Sequence, residues 1–311
     1  MTSNKESIPK SMRFLFGGLS GITATLVVQP LDLIKTRMQL SGADGQKKIY
    51  SNSFDAFKTI LRNEGIIGLY SGLSAAILRQ ASYTTVRLGV YTSLFDYLSK
   101  DNHPPSFMEK TICGLTAGIV GSFFGTPAEV CLIRMTSDGR LPVEQRRNYK
   151  NAFNALSRIA REEGITTLWR GTIPTMGRAA VVNVAQLVSY SQAKQVIVKR
   201  TSLEDGIPVH FLSSMFSGFV TTVASLPVDI AKTRIQNMKI TNGIPEYTGI
   251  FDVIRKVNQA EGVLSLWKGF TPYFLRIAPH TVITFIVLEQ MNKSYKKYIL
   301  KQDDTNSSGS L

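Results

Sequence analysis

Three arginines occupy equivalent positions in the chain and could bind an anion. Each follows a glycine by seven residues, and the three are Arg79, Arg178 and Arg276. A guanidinium carries a planar fork of donors that matches a carboxylate, and it stays charged when it is half buried. A single arginine at such a place could instead extend toward lipid head groups. Three at the same depth favour a site for a substrate with two carboxylates.

The residues one and two helical turns beyond these arginines differ between the three copies, so we expect them to determine which substrate binds. They are Tyr83 and Arg87, Val182 and Gln186, and His280 and Thr284. Arg87 would add a fourth cation, and the amides of Gln80, Asn183 and Gln186 could hydrogen-bond a keto or hydroxyl group. We interpret His280 as a hydrogen-bonding residue of a pore. The predicted substrate-binding residues are Arg79, Arg178, Arg276, Arg87, Tyr83, Gln80, Asn183 and Gln186.

The arginines belong to a unit of about one hundred residues that occurs three times. One of its stretches reads "PLDLIKTR" (30–37), "PAEVCLIR" (127–134) and "PVDIAKTR" (227–234). A second reads "EGIIGLYSG" (64–72), "EGITTLWRG" (163–171) and "EGVLSLWKG" (261–269). Two small residues, four apart, precede each proline and would let neighbouring helices approach closely in a membrane. Features that stay in register three times exclude chance recurrence.

Each copy predicts two long apolar helices that flank a shorter amphipathic one. The long spans are 14–40 and 73–99, 108–136 and 172–199, and 209–236 and 270–299. All exceed the ~20 residues that a helix needs to cross a bilayer. The segments 53–63, 151–161 and 249–259 have the spacing of helices that lie on a membrane surface. The sequence therefore predicts an all-α membrane protein with six transmembrane helices and three short surface helices.

Composition is consistent with this architecture. The chain has 311 residues and a net charge of +14, and its mean hydropathy is +0.02. Such a low hydropathy fits six spans if one face of each span borders water. The positive charge indicates an anionic partner, which could be an acidic small molecule, an anionic membrane surface or a nucleic acid. Cys113 and Cys131 would lie roughly 27 Å apart on one helix, so no disulfide is expected between them.

We divide the chain into three repeats with a tail at each end. The parts are a tail (1–13), the repeats (14–103, 104–205 and 206–300) and a disordered tail (301–311). The first residues contain no apolar segment of the kind that a secretory signal requires. Any organelle address is therefore expected within the repeats.

Each odd-numbered long helix ends with a proline, an acid and bases. A charge inside a membrane span is costly unless it is paired or hydrated, so its default interpretation is functional. Asp32 and Lys35 are one turn apart, and their own pairing would contribute only tenths of a kcal/mol. Each acid could instead meet a base of the next repeat, because the prolines bend the helices toward a common axis. The pattern predicts a breakable gate on the side of the long loops.

The distribution of basic residues predicts the orientation. Eight Lys or Arg lie from Arg134 to Arg170, whereas the short links around 100–107 and 200–208 contain few. The positive-inside bias then puts the long loops on the negative side of the membrane. Both termini are expected on the opposite side.

The repeated stretch resembles the signature of the mitochondrial carrier family, P-x-(D/E)-x-x-(K/R)-x-(K/R), over residues 14–299. The resemblance implies pseudo-threefold symmetry around a water-filled cavity, the mitochondrial inner membrane, termini in the intermembrane space, alternating access and no cofactor. It also implies cardiolipin near the "YSG", "WRG" and "WKG" turns. The stretches "TPAEVCLIRMTSDGRLP", "VVNVAQLVSYSQAKQ" and "LEQMNKSYKK" are similar to the family's exchangers of 2-oxoglutarate and malate. The expected function is antiport of such dicarboxylates.

The family pattern implies ion pairs between repeats at the matrix gate. It pairs Glu129 with Lys232 and Asp229 with Lys35. The predicted matrix-gate residues are Asp32, Lys35, Glu129, Asp229, Lys232, Gln39 and Gln236, of which the two glutamines resemble the residues that brace such pairs. On the opposite side the family has (F/Y)-(D/E)-x-x-(K/R), and "FDYLS", "YSQAK" and "LEQMN" retain one obvious pair. That predicted cytoplasmic gate consists of Asp96 and Lys194.

The second repeat departs from the signature because Leu132 stands where the other copies have a lysine. Asp32 is therefore expected to have no partner. Arg134 does not replace the missing base, since it matches the later base of the other two copies. We predict a gate with two ion pairs, which costs less energy to open than one with three.

The same sequence features distinguish the predicted function from its alternatives. A dicarboxylate–phosphate exchanger or another organic-anion carrier of this family stays open, because phosphate also binds arginine. A nucleotide carrier is disfavoured, because the family's nucleotide carriers have a glycine followed by an aliphatic residue at the position where this chain has Gly177 and Arg178. An enzyme is disfavoured because the chain has no Gly-rich phosphate loop, metal-ligand cluster or nucleophile elbow. A nucleic-acid binder is disfavoured because the basic residues lie on loops between apolar spans.

Overall fold

The computed structural model describes residues 9–43, 49–99, 106–200, 206–238, 240–241 and 244–300. Six long helices are present: α1 (Lys10–Leu40), α3 (Leu73–Leu98), α4 (Phe107–Asp138), α6 (Thr172–Arg200), α7 (Ile207–Asn237) and α9 (Phe270–Tyr298). Three shorter ones are α2 (Ser53–Gly68), α5 (Ala152–Glu162) and α8 (Ile250–Glu261). The predicted six long and three short helices are confirmed. The boundaries of the repeats remain a prediction, and residues 1–8 and 301–311 of the two tails lie outside the described residues.

Short elements complete the fold. Three 3₁₀ turns cover Val143–Gln145, Ile165–Trp169 and Val263–Trp267. Two-residue strands, β1 (Ile240–Thr241) and β2 (Ile244–Pro245), pair in antiparallel orientation after α7. This ladder was not predicted, because two residues are too few to show the alternation that identifies a strand in sequence.

The six long helices form a closed ring. The most extensive contacts join α3 to α4, α6 to α7, and α1 to α9, so neighbouring repeats pack more closely than the two long helices within one repeat. Phe16 and Tyr295 meet edge to face at the α1–α9 junction, with ring centroids 5.7 Å apart. At the α3–α4 junction, a side chain at Gly121 or Gly125 would lie within 3.2 Å of atoms of Arg87 or Tyr83. These two glycines therefore permit a close approach of α3 and α4. Of the small residues before the prolines that the sequence predicted to permit such an approach, Gly21 is similarly confined, because a Cβ there would lie 2.5 Å from Gln80 Nε2, whereas a Cβ on Gly114 would meet no atom within 4 Å.

A small apolar cluster fixes each short helix against its own repeat. In the first repeat, Ala56 and Ile60 of α2 pack against Leu33 and Ile34 of α1. Equivalent clusters lie below α5 and α8. The exposed side of each short helix carries one phenylalanine near its start, with Phe54 64%, Phe153 73% and Phe251 87% exposed. Such helices, with one apolar face buried in protein and aromatic rings exposed beside it, suit the lipid–water interface.

Four helical segments are long and apolar enough to cross a membrane: Phe14–Leu40, Met108–Asp138, Leu212–Asn237 and Val263–Tyr298. The helices α3 and α6 have sufficient length, with 26 and 29 residues. They fall short in apolar composition because they carry charged residues such as Arg79, Arg87 and Arg178. Those charges face a cavity inside the ring, as the next section describes, so they do not have to face lipid.

A left-handed glycine begins each of the helices that carry the three arginines. Gly72, Gly171 and Gly269 have φ values of 82°, 83° and 84°, a conformation that favours glycine. The space is equally restrictive, because a Cβ at Gly171 would lie 2.6 Å from Cγ of Gln236 in the next repeat. The helices α3, α6 and α9 thus start in contact with the neighbouring repeat. Each of the three arginines lies about two turns after the start of its helix.

Candidate functional site

A cavity of about 400 Å³ lies on the axis of the ring, and we call it the central cavity. All eight predicted substrate-binding residues line it: Arg79, Arg178, Arg276, Arg87, Tyr83, Gln80, Asn183 and Gln186. His280 and Thr284 line it as well. This volume suits a small organic molecule. The structure therefore brings the sequence-predicted side chains together in one space, while their role in binding a substrate remains a proposal.

The three equivalent arginines have different partners. Arg276 donates through Nη1 to both carboxylate oxygens of Asp32, at 2.7 and 2.8 Å. Arg178 forms an ion pair with Asp229 and donates to Tyr273 Oη at 3.1 Å. Within the described residues the guanidinium of Arg79 makes no hydrogen bond or ion pair, and its Nε is buried without a partner. Arg79 is therefore the cation most ready to receive an anion.

Two ion pairs close the end of the central cavity where the signature prolines lie. Lys35 Nζ is 2.7 Å from Asp229 Oδ2, and Lys232 Nζ is 2.6 Å from Glu129 Oε1. Both pairings are those that the family pattern implied. Thr175 donates a further hydrogen bond to Glu129 Oε2 at 3.3 Å. Each pair joins two different repeats, so separation of the repeats requires that the pairs break.

The expectation that Asp32 has no partner is wrong. Leu132 does leave the signature position of the second repeat without a base, but Arg276 from the third repeat takes the place of that base. The prediction of two ion pairs is corrected in the same way, because Asp32 and Arg276 supply a third. Sequence comparison could not find this pair, because Arg276 lies in a different motif and about 240 residues away.

A second cavity of about 90 Å³ lies among the ion pairs and adjoins the central cavity, and we call it the gate cavity. Arg79, Arg178 and Arg276 line both cavities. The three arginines thus lie where the central cavity meets the gate cavity. A ligand bound to them would be in direct contact with the gate residues.

The two glutamines of the predicted gate do not bond to the ion pairs directly. Gln39 Oε1 accepts a hydrogen bond from Thr233 Oγ1 at 2.9 Å. Gln236 Nε2 donates to Thr175 Oγ1 at 3.3 Å, and Thr175 in turn contacts Glu129. Each glutamine is thus one threonine away from an acid of a pair, because Thr233 also donates to the backbone carbonyl of Asp229 at 2.8 Å. Their function as braces stays a prediction.

The later base of each signature forms a set of contacts that sequence reasoning missed. Arg37, Arg134 and Arg234 each pair with the glutamate of the "EG" motif in their own repeat, namely Glu64, Glu163 and Glu261. The same arginines donate through Nε to a backbone carbonyl of the following repeat. These bonds run from Arg37 to Thr136 (2.9 Å), from Arg134 to Gln236 (3.4 Å) and from Arg234 to Gln39 (3.3 Å). We call these three arginines and three glutamates the arginine belt.

The arginine belt could have been inferred from the sequence. Its members recur three times in register, as the signature residues do, and an arginine that is at most 3% exposed needs a counter-charge. The belt also explains why Arg134 does not pair with Asp32, since Glu163 already binds it. It links the repeats below the gate, where the central cavity ends.

Burial and hydrogen bonding shift the pKa values of the belt glutamates in opposite directions. Burial raises the pKa of Glu261, but hydrogen bonds from Lys268 and Arg234 lower it more, so the net direction is downward. Burial likewise raises the pKa of Glu163, and the hydrogen bond and charge of Arg134 outweigh that effect. Both carboxylates are therefore ionised at neutral pH.

The comparisons with known proteins agree with this geometry. A family model described as "Mitochondrial carrier protein" matches residues 7–102, 103–201 and 204–299. The chain belongs to the mitochondrial carrier family. It is therefore a multi-pass transporter of the mitochondrial inner membrane and not an enzyme.

Curated relatives cover almost the whole carrier. A human protein named "Mitochondrial 2-oxoglutarate/malate carrier protein" is 62% identical over 293 residues, which are 94% of this chain and 93% of the relative. A mouse protein of the same name is 60% identical over 301 residues, or 96% of each chain. A third, from Caenorhabditis elegans, is 58% identical over 305 residues, or 98% of this chain and 99% of the relative.

The residues of the predicted cytoplasmic gate lie toward the opposite end of this carrier. Asp96 lies near the end of α3 and Lys194 in the last part of α6, and their pairing as a cytoplasmic gate stays a prediction. Nearby, Tyr190 Oη and His210 Nδ1 are 2.5 Å apart and join α6 to α7.

Tyr273 is the second functional candidate that sequence reasoning missed. Its side chain is 5% exposed, and its ring lies under Lys35 Nζ at 3.8 Å from the centroid. It also accepts the hydrogen bond from Arg178 and lies 5.2 Å from the guanidinium carbon of Arg276. Only the third repeat has a tyrosine four residues after the repeated glycine, where the others have Ala76 and Thr175. Because it is not repeated, the threefold comparison gave no signal for it.

The described residues contain no group of three or more His, Cys, Asp or Glu side chains that could hold a metal ion. Cys113 and Cys131 are free and buried, so the expectation that they do not form a disulfide is confirmed.

Proposed function

We propose that this carrier exchanges 2-oxoglutarate for malate, or for related dicarboxylates, across the mitochondrial inner membrane. The observation that carries the proposal is a cavity of about 400 Å³ with three arginines at one depth. One of these arginines has no partner within the described residues, and carboxylates of the protein hold the other two. Carboxylates of a substrate could replace carboxylates of the protein with the same geometry. The names of the relatives supply the candidate substrates.

The proposed mechanism depends on differential binding. An empty carrier keeps its arginines near the gate carboxylates, and a dicarboxylate offers the arginines an alternative partner. A substrate that binds the state between the two openings more tightly than either open state lowers the barrier for crossing. The empty carrier has no bound substrate to lower this barrier, so it rarely changes from one open state to the other. Transport in one direction therefore requires a substrate for the return step, which makes exchange obligatory. Arg87, Gln80, Asn183 and Gln186 would distinguish the substrates from other anions.

We assign the two gates to the two ends of the ring. Lys35 with Asp229 and Lys232 with Glu129 would close the matrix side, assisted by Gln39 and Gln236. Asp96 with Lys194 would close the opposite side when the first gate opens. The basic long loops support an orientation with the termini in the intermembrane space.

We also propose that cardiolipin binds between repeats. A cavity of about 420 Å³ lies beside the start of α3, where Arg146 and Lys150 line it. A second of about 270 Å³ lies beside the start of α6, near Trp169 and Thr172. Helix starts present free N–H groups that favour anions, and the neighbouring bases of the first cavity add charge. Both cavities lie at the "YSG" and "WRG" turns.

A second candidate substrate, phosphate, rests on the same arginines, so the test must separate the two. The purified protein is reconstituted into liposomes loaded with 2-oxoglutarate, malate, phosphate or ATP, and uptake of labelled malate is measured. We expect saturable uptake with internal 2-oxoglutarate or malate, and little with ATP or with empty liposomes. Uptake driven equally well by phosphate would favour the alternative. Loss of exchange in Arg276→Gln, with normal exchange in Lys293→Gln on the outer part of α9, would support the site.

A further inference from the structure

Arg276 has two functions that compete with each other, and the competition originates from Leu132. The first function is that of a substrate arginine, which follows from its place in the central cavity. The second is that of a gate base, because it donates two hydrogen bonds to Asp32. In a regular signature the residue at position 132 would supply that base. Leu132 cannot, and it packs instead with Cδ1 3.3 Å from the position of a Cβ on Gly72.

The other two gate acids do not depend on a substrate arginine in this way. Glu129 is bound by Lys232 and makes no hydrogen bond to any of the three arginines within the described residues. Asp229 is bound by Arg178 but also by Lys35 at 2.7 Å, so the lysine stays if the arginine leaves. Asp32 has one cationic partner among the described residues, which is Arg276. It is therefore the one acid that loses its whole counter-charge when a ligand takes the arginine.

We propose that substrate and Asp32 compete for Arg276, so that binding of a substrate carboxylate itself breaks the third ion pair of the gate. Leu132 is the residue that creates this coupling, because a cation at that position would bind Asp32 permanently and leave Arg276 free. The inference rests on the proposed dicarboxylate function. It assigns to Leu132 a positioning role, exerted through Asp32 and Arg276 without contact to the substrate.

The geometry makes the competition possible without a large movement. Asp32 and Arg276 are each about one quarter exposed, at 24% and 23% of the side chain, and both line the gate cavity. Arg276 also lines the central cavity, so a ligand there reaches the same guanidinium. A guanidinium has five N–H donors, but its strongest bond to a carboxylate uses them as a pair. The two carboxylates therefore compete for one cation.

The test introduces the missing base. Leu132→Lys is compared with the wild type and with Leu132→Met, which changes packing at the same position without adding charge. Affinity for 2-oxoglutarate is obtained from the ligand-dependent rise of the unfolding temperature in detergent. The maximal rate of malate–2-oxoglutarate exchange is measured in liposomes.

We expect Leu132→Lys to bind 2-oxoglutarate about threefold to tenfold more tightly, because Arg276 no longer has to be released by Asp32. We expect its maximal exchange rate to fall by a similar factor, since the new pair must be broken without help from the substrate. A tighter but slower carrier is the combination that a purely structural change would not produce. Unchanged affinity in Leu132→Lys, or equal tightening in Leu132→Met, would overturn the inference.

Asp32→Asn provides a second, independent measurement. It removes the competing charge but preserves the shape of the side chain, so we again expect tighter binding of 2-oxoglutarate. Unchanged or weaker affinity in this variant contradicts the competition even if Leu132→Lys does not fold. If the wild type does not exchange dicarboxylates, the proposed function fails. If it does so and both variants keep the wild-type affinity, only the present inference fails.

Discussion

The ion pairs Glu129–Lys232 and Asp32–Arg276 lie at one end of the same ring but differ in what can break them. The side chains of Lys232 and Glu129 are 7% and 11% exposed, whereas those of Arg276 and Asp32 are 23% and 24% exposed. The first pair consists of two signature residues, and both line the central cavity although they are more buried. In the second pair, Arg276 lines the central cavity and Asp32 lines only the gate cavity. The two pairs therefore differ in burial, and the more exposed pair is the one that a ligand can separate at the lower cost.

The largest expected effect distinguishes these pairs by stability. Glu129→Gln leaves Lys232 buried without its main counter-charge, and we expect a loss of about 3 to 5 kcal/mol in the free energy of unfolding. Asp32→Asn should cost about 1 kcal/mol or less, because its pair is partly hydrated. Thermal unfolding of both variants in detergent measures the difference. The charge-reversed double variant Glu129→Lys/Lys232→Glu should recover part of the loss, and equal losses in the two single variants would remove the distinction.

A smaller effect tests whether two of the ion pairs, Lys35–Asp229 and Asp32–Arg276, are coupled to each other. The ring of Tyr273 lies below Lys35 and beside Arg276, so it contacts the base of each of these two pairs. Replacement by leucine removes the ring and its hydroxyl, and we expect a loss of about 1 to 2 kcal/mol. Replacement by phenylalanine removes only the hydroxyl, which accepts hydrogen bonds from Arg178 and Ser225, and should cost about 1 kcal/mol or less. In a double-mutant cycle, the changes in the free energy of unfolding of Tyr273→Leu and Asp32→Asn should not add up to that of the double variant. Strict additivity would mean that the two ion pairs are independent.

A pH measurement separates the gate from the arginine belt. The pKa of Glu261 is lowered in the folded state, so its stabilising contribution is present above the unfolded value of about 4.5 and is lost as the pH falls through the lowered folded value. We expect the unfolding temperature to decrease between about pH 5 and pH 3. Glu261→Gln should make that decrease shallower, because glutamine does not titrate. An unchanged slope would indicate that other carboxylates control acid unfolding.

The smallest effect serves as a reference for all the others. Lys293 and Glu289 form a pair on the outer part of α9, 2.7 Å apart, with side chains 49% and 61% exposed. We expect Lys293→Gln to change the free energy of unfolding by about 0.5 kcal/mol or less, because exposed pairs of this spacing contribute little. Exchange activity should remain normal. A large loss would show that a charge on this face has a role that exposure alone does not indicate.

Much of this carrier could be predicted from the sequence because its features occur three times. The spans of the long helices differ from the structure by a few residues, and α1 begins at Lys10 where the prediction had 14. The pairing of Glu129 with Lys232 was implied by the resemblance to the carrier family, and the structure contains it. What could not be predicted was each feature that occurs once. Tyr273 has no equivalent in the other repeats, and the Asp32–Arg276 pair joins two motifs whose depths along the axis no sequence pattern encodes.

The arginine belt is not apparent from the signature alone. Within the signature the acid pairs with the first base, so the later base, Arg37 in the first repeat, has no partner there. Its side chain is nevertheless the more buried one, with Arg37 at 1% exposed and Lys35 at 12%. A fully buried cation requires a carboxylate nearby, and the glutamate of the "EG" motif was the one that recurred with it.

The arginine belt has no first or last member. Arg37 bonds to the second repeat, Arg134 to the third, and Arg234 back to the first, while α1 packs against α9 as the other junctions pack. The order of the repeats along the chain is therefore less important to assembly than their cyclic order in space. A circularly permuted chain, with α9 linked to α1 and new ends opened between α3 and α4, should build the same ring.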